Sequence, residues 1–224
     1  MSDRSGAYSF TFGGAALLAL PSGALFWPDE SLLCVGDLHL GRAERLARQG
    51  GALLPPYEST DTLQRLSGDL AASGARRILC LGDSFDDPGA ADRLDPVLQE
   101  NLWRLMAGRE WIWVLGNHDP RPFGLGGTHL NEWVAGGLVF RHIAESRDGP
   151  EVSAHYHPKA ILAGRSRPCF LLDEARLILP AYGTYTGGLS WQDAGLRALF
   201  APAPLAILTG PRALPCPAPP LRKP

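Results

Sequence analysis

Cysteine is scarce in this chain, and its placement excludes more than it suggests. Cys34, Cys80, Cys169 and Cys216 lie far apart and form no C-x-x-C pair. Two of them sit inside apolar, strand-like runs, where a free cysteine behaves as a small buried hydrophobe. No disulfides are expected, and the pattern fits a reducing cytoplasm. Strong charge of either sign is missing too. A net charge of −2 and a pI near 6.3 give no global basic field, so any nucleic-acid contact has to be local. Long apolar runs are also absent. Ala15–Trp27 is broken by Pro21-Ser22-Gly23 and falls short of the ~20 residues that span a bilayer; it reads as a β-hairpin. Asp3 and Arg4 are followed by no compact apolar core, so no targeting signal is visible. No internal repeat stands out. A soluble, cytoplasmic protein with no membrane partner is expected.

What the chain does have is regular alternation of apolar runs and turns. Its 224 residues can bury a substantial core. Residues 1–210 read as one domain, and 211–224 as a Pro-rich, frayed or extended tail. Tyr8–Phe12, Leu17–Leu20 and Ala24–Phe26 look like short strands joined by Gly/Pro/Ser turns. Leu32–Val35, Ile78–Leu81 and Trp111–Leu115 are continuous apolar runs, as strands buried on both faces should be. Helices are predicted over Gly41–Gln49, over Ser59–Ser73 with leucines at 63, 66 and 70, and over Asp95–Ala107. This alternation implies parallel β-α-β units. After Pro120 short strand candidates dominate: Leu138–Arg141, Val152–His155, Cys169–Leu172, Leu177–Leu179 and Leu205–Leu208, with one helix candidate at Trp191–Phe200. The expected class is α/β, with two mixed sheets packed face to face, helices outside, and loops converging on one edge.

Polar clusters recur in a fixed order: Gly36-Asp37-Leu38-His39, Gly82-Asp83, Gly116-Asn117-His118-Asp119, His142, and His155-Tyr156-His157. Asp, Asn and His are ligands that first-row divalent cations prefer. Several clusters follow an apolar run directly, where open α/β folds place their active sites. On an extended segment Asp37 and His39 share one side. The Asp83 carboxylate can bridge two cations roughly 3.5–4 Å apart. Asn117 adds a neutral oxygen, and His142, His155 and His157 add imidazoles. His118 follows Asn117 immediately and points away from it if the segment is extended. It suits a general acid or a stabiliser of developing phosphate charge, with Asp119 able to hold its ring in the useful tautomer. Asp86 and Asp87 add carboxylates that either support the ligands or cap the turn at Pro88-Gly89.

These clusters, from residue 32 to about 160, resemble the five motifs of the calcineurin-like metallophosphoesterase superfamily. The resemblance implies a four-layer α/β/β/α sandwich and a dinuclear centre. One metal would take Asp37, His39, Asp83 and His157; the other would take Asp83, Asn117, His142 and His155. His118 would be the catalytic histidine that binds no metal. Ala154 stands where the family usually has the glycine that opens the last motif; it adds a methyl group and removes no ligand. Pro168-Cys169-Phe170 and the Leu179–Gly188 segment extend the likeness over roughly 8–210, to the bacterial ligase-associated DNA damage response endonucleases, PdeM-like proteins. This narrower likeness implies a manganese-dependent phosphodiesterase acting on DNA, single strands in particular. It also implies a homodimer and a link to a DNA ligase, an exonuclease and a helicase.

The expected chemistry is two-metal hydrolysis, with a hydroxide between the cations attacking phosphorus in line and His118 assisting the leaving oxygen. A small-molecule phosphohydrolase, acting on cyclic nucleotides, nucleotide-sugar lipids or phosphomonoesters, is the alternative the same ligands support. A non-catalytic scaffold is disfavoured by the intact ligands. The donor set admits Mn, Fe or Zn. Arg42 and Arg45, with Arg48 and Arg121, could position DNA phosphates or form a solvated face; Arg165 and Arg167 share that ambiguity. Tyr182 and Tyr185 could stack on bases or pack in the core.

Overall fold

The computed structural model describes residues 6–50, 55, 57–145, 149–201 and 203–220. The chain opens as an antiparallel meander of β1 (Tyr8–Phe12), β2 (Ala15–Ala19), β3 (Leu25–Trp27) and β4 (Leu32–Val35). Pairing then turns parallel. Helices α1 (Arg42–Arg48) and α2 (Glu58–Ser73) lead to β5 (Arg77–Leu81), and α3 (Pro96–Met106) leads to β6 (Glu110–Val114). A loop then reaches β7 (Thr128–Leu130), and the seven-stranded sheet runs in order from β1 to β7. Parallel neighbours need long crossovers, which the helices supply. The leucines at 63, 66 and 70 form the buried stripe of α2, which ends at left-handed Gly74. Asp95 caps α3 by accepting from the Val97 and Leu98 N–H groups, with Pro96 in the first turn.

The second sheet collects β8 (Glu132–Ala135), β9 (Leu138–Arg141), β10 (Glu151–Ser153), β11 (Lys159–Leu162), β12 (Arg165–Leu172) and β13 (Arg176–Ile178). After the short helix α4 (Ala194–Arg197) it gains β14 (Leu205–Leu208) and β15 (Leu214–Pro217). Its order is β15-β14-β12-β13-β10-β9-β8, with β11 pairing onto β12. Strands β9, β10 and β13 are mutually parallel and the other pairings antiparallel.

Period-two alternation sorts the apolar side chains into layers. Leu79 and Leu81 of β5 face the second sheet and pack in one core with Leu17, Phe140, Phe170 and Ile207. Ile78 and Cys80 of the same strand face outward onto Leu66, Leu70 and Leu102 of the helices. On the far side Cys169, Leu171 and Ala206 meet Trp191 and Leu196. The result is the expected α/β/β/α sandwich. All four cysteines are free.

Five elements depart from expectation. The helix predicted over Trp191–Phe200 shrinks to α4, a single turn capped by Asp193. Strands β7, β8 and β11 were not anticipated. The C-terminal stretch up to residue 220 is not a frayed tail, because β15 pairs with β14 with Pro217 opposite Leu205. Pro215 and Pro217 cannot donate to a ladder, and they are accommodated because β15 is the edge of its sheet. Residues 221–224 lie outside the described residues. Among the described residues no helix is long and apolar enough to cross a membrane.

Candidate metal centre

Parallel pairing puts the carboxyl ends of β4, β5 and β6 side by side, so Asp37, Asp83 and Asn117 leave the same edge of the first sheet. His142 and Ala154-His155 leave the parallel pair β9 and β10 of the second sheet. The first two loops stay zipped together past their strands. Asp37 N–H donates to the Gly82 carbonyl at 3.2 Å, His39 N–H to Asp83 at 2.9 Å, and Leu40 N–H to Ser84 at 2.9 Å.

The backbone here is not extended, as had been expected from the Asp-x-His spacing. Asp37, His39, Asp83, His155 and His157 all have left-handed φ, between 46° and 65°. That conformation costs roughly 1 kcal/mol or more per non-glycine residue, and such strain clusters at functional sites. The glycines beside these residues leave no room for a side chain. A Cβ on Gly82 would lie 2.2 Å from His142 Nδ1, and one on Gly116 would lie 2.2 Å from Asp83 N. Ala154 adopts ordinary φ, and its methyl fills the space left by Gly36, where an added Cβ would come within 2.6 Å of it.

All seven side chains expected as ligands converge. Asp37, His39 and His157 offer ligand atoms within 4.8 Å of one another, as do Asp83, His142 and His155. His157 Nε2 is 3.1 Å from Asp37 Oδ1. His142 Nε2 is 3.3 Å from Asp83 Oδ2, 3.0 Å from Asn117 Oδ1 and 3.2 Å from His155 Nδ1. The Leu81 carbonyl, 3.1 Å from His142 Nδ1, fixes the tautomer that turns Nε2 inward. Asp37 Oδ1, His39 Nε2 and His157 Nε2 are buried with no hydrogen-bond partner among the described residues. Buried polar atoms left this way are costly. Cations between them would satisfy all three, so the residues fit a pair of divalent metals.

Electrostatics agree. Burial pushes the Asp83 carboxyl up, but His142, the His118 N–H and His39 outweigh it and hold Asp83 at about 2. Burial lowers His142, yet Asp83 and Asp37 raise it on balance, while burial and His142 lower His155.

Two carboxylates support the centre: Asp86 takes the first of the two roles the sequence left open for it, and Asp119 takes one the sequence did not reveal. Asp86 is fully buried and meets His39 Nδ1 at 2.9 Å, Arg42 at 3.1 Å, and Arg45. Its backbone carbonyl lies 2.8 Å from His118 Nδ1. The partner of the His118 ring is therefore Asp86, not Asp119 as expected. His118 N–H donates to Asp83 Oδ1 at 2.8 Å, and Nε2 stands 4.0 Å from Asp83 Oδ2. Asp119 instead accepts from the N–H groups of Asp83, Ser84, Phe85 and Gly116, bracing the loop that carries Asp83. Burial pushes its acid up to about 6 against those N–H donors. Arg42 and Arg45, for which contact with DNA phosphates and a solvated face were both open, turn inward onto Asp86 because a buried carboxylate needs paired cations.

The Leu179–Gly188 segment braces the centre from behind. Tyr182 and Gly183 N–H groups donate to the carbonyls of Gly36 and Asp37 at 2.8 and 2.9 Å. Glycine is required at both ends of this brace. A Cβ on Gly183 would lie 2.3 Å from the Leu38 carbonyl, and one on Gly188 2.1 Å from that of His157. Tyr182 is buried in the core, with its hydroxyl 2.8 Å from Asp69, whereas Tyr185 is half-exposed.

With carboxylate, amide and imidazole donors gathered at the meeting edge of two sheets, the protein is a metal-dependent hydrolase of phosphoesters. It belongs to the calcineurin-like phosphoesterase family, whose sequence pattern matches residues 31–200. Among solved structures it is similar to the Pseudomonas putida nuclease MPE, with 27% identity, a TM-score of 0.75, and coverage of 94% of this chain and 100% of that one. The phosphoesterase Yfce from E. coli also matches, at 13% identity and a TM-score of 0.37 over 79% of this chain and 87% of that one. No curated protein matches the sequence.

Proposed function

We propose that the protein is a dinuclear-metal phosphodiesterase that cuts DNA, single strands by preference, as an endonuclease of DNA repair. The observation that carries this reading is its likeness, along 94% of the chain, to a protein described as a nuclease. We assign Asp37, His39, Asp83 and His157 to one cation and Asp83, Asn117, His142 and His155 to the other, with manganese as the metal. Bound there, two such cations would supply Lewis acidity to the phosphoryl oxygens and an attacking water of lowered pKa. Asp83 stands between the two sets and orients both through its loop. His118 Nδ1–H donates to the Asp86 carbonyl, which leaves Nε2 facing the centre; once Nε2 is also protonated, it would give that proton to the leaving oxygen. The work we assign lies beside a DNA ligase, an exonuclease and a helicase, in the cytoplasm.

The test is cleavage of circular single-stranded DNA with manganese, set against a panel of small phosphodiesters and phosphomonoesters. Nicking of the circle supports an endonuclease. Turnover of the small esters alone moves the protein to the small-molecule phosphohydrolases. Asp83→Ala and Asn117→Ala should abolish metal-dependent turnover in either case; wild-type rates in both would remove the ligand assignment.

A further inference from the structure

The centre opens on two sides, and the sides differ in charge. Beside Asn117 and His142 lies a cleft of about 610 Å³ lined by Glu132, Glu145 and Arg141. Arg141 is buried and engaged by Glu132, Glu145 and Glu151, so this side presents carboxylates. Beside His157 lies a cleft of about 650 Å³ lined by Arg65, Lys159, Asp61 and the brace from Ala181 to Thr186. Among the described residues neither Arg65 nor Lys159 forms an ion pair. Lys159 Nζ donates to the Thr186 carbonyl at 2.8 Å, which leaves two of the three ammonium N–H groups for a ligand. Arg65 donates to the Tyr182 carbonyl and to Thr184 Oγ1, and its buried Nε has no hydrogen-bond partner among the described residues. The Arg167 guanidinium lies against Gly210, another residue lining the cleft. The carboxylate on this wall, Asp61, accepts from Thr184 Oγ1 at 2.5 Å. At the rim the exposed ring of Tyr185 stands 6.4 Å from that of Tyr57.

We infer that this cleft is a flanking-nucleotide subsite, in which Lys159, Arg65 and Arg167 hold the phosphodiester next to the one at the metals and Tyr185 stacks on its base. The inference rests on the nucleic-acid reading above. His157 belongs both to the ligand set and to the cleft wall, so a strand lying across the centre enters the cleft directly. Cations that form no ion pair among the described residues, set at a hydrolytic centre, attract the next anionic group of a polymer. The carboxylates on the Asn117 side repel it, so the strand is gripped on one side of the cut. Small phosphodiesters have no second phosphate and gain nothing from the cleft.

Lys159 is the cleaner residue to change, because Arg65 also ties α2 to the brace. The experiment compares a single-stranded oligothymidylate with bis(4-nitrophenyl) phosphate, in manganese, for the wild type, Lys159→Ala, Lys159→Arg and Tyr185→Ala. In Lys159→Ala the ratio of kcat/KM for the oligonucleotide to that for the small diester should fall about tenfold, the size of one charge-assisted contact. The loss should sit in KM and be restored in Lys159→Arg. The salt slope of oligonucleotide binding should shrink by about 0.7, one phosphate contact to a single strand. Tyr185→Ala should lower the same ratio while leaving the salt slope alone. A wild type that cuts DNA, with the ratio and slope unchanged in Lys159→Ala, overturns the subsite alone. A wild type that turns over the small diester and leaves every oligonucleotide intact overturns the nucleic-acid reading and the subsite with it.

Discussion

Asp86 is not among the expected metal ligands, yet four candidate functional residues depend on it. Its carboxylate meets His39 Nδ1 and two arginines, and its carbonyl meets His118 Nδ1. Burial pushes this acid up, but His39, Arg45 and Arg42 overcome that and keep its pKa below the usual carboxylate range. Removing the partner behind a metal-ligating histidine typically costs 10–100-fold in metal affinity. Asp86→Ala should therefore raise the manganese concentration for half-maximal turnover roughly 10–100-fold; an unchanged metal titration would show that His39 needs no such support. His118→Asn should behave oppositely. Metal stoichiometry should hold while kcat drops on the order of 10²–10⁴-fold, the usual share of a general acid. A loss of one bound cation in that variant would make His118 a ligand, a role its closeness to His39 and Asp83 leaves geometrically available. All seven ligand candidates could be read from the sequence because they are donor types in clusters, several directly behind an apolar run, in the order of the family the chain resembles. For Asp86 the sequence left support of the ligands and a turn cap both open. The role of Asp119 could not be read at all, because it is set by which backbone N–H groups fold back onto it, and spacing carries no record of that.

The elements legible in advance were those with a long apolar signature and a clean stop. Strands β4, β5 and β6 are four or five residues buried nearly throughout, and α2 and α3 carry leucine stripes, α3 opening on the Asp95 cap and α2 closing at Gly74. Those missed lack the local signals. Strand β7 has three residues behind two glycines, and β15 contains two prolines that only an edge tolerates. Hairpin β11–β12 is instructive. Leu162 pairs with Arg165 across Ala163-Gly164, both with positive φ, 47° and 76°, the pattern of a two-residue type I′ turn. Such turns normally advertise themselves as Asn-Gly or Asp-Gly, and alanine hides this one at a conformational cost. Ala163→Asn should accordingly stabilise the protein by about 0.5–1 kcal/mol, seen as a higher urea midpoint at unchanged slope. The bond from α2 to the brace runs the other way. Asp69→Ala leaves the buried Tyr182 hydroxyl without its acceptor, and should cost about 1–3 kcal/mol.

At the scale of the molecule, both sheets send strained loops to one edge, and none of the described residues satisfies Asp37 Oδ1, His39 Nε2 and His157 Nε2 by a hydrogen bond. The two halves of the sandwich are thus joined twice. A continuous apolar core joins them in the middle, and at the edge they share a polar cluster that is costly to bury without cations. Metal that binds only this folded arrangement stabilises it by mass action, about 4 kcal/mol for one site at a thousandfold excess over Kd. For a chain of 224 residues that corresponds to roughly 8–16 °C in Tm, at 2–4 °C per kcal/mol. Chelation should lower Tm by an amount of that order, and added manganese should restore it. The pH dependence has a definite sign. Imidazole binds metal only when neutral, so acid releases the cations. The gap between metal-loaded and chelated protein should be full near neutrality and close as pH falls through about 6, the range in which histidine protonates. Calorimetry of both forms across that range tests the point directly. Identical melting temperatures at neutral pH, with saturating manganese present in one sample, would mean that this edge does not hold metal in the folded protein. The seven-residue assignment would then fail as a whole.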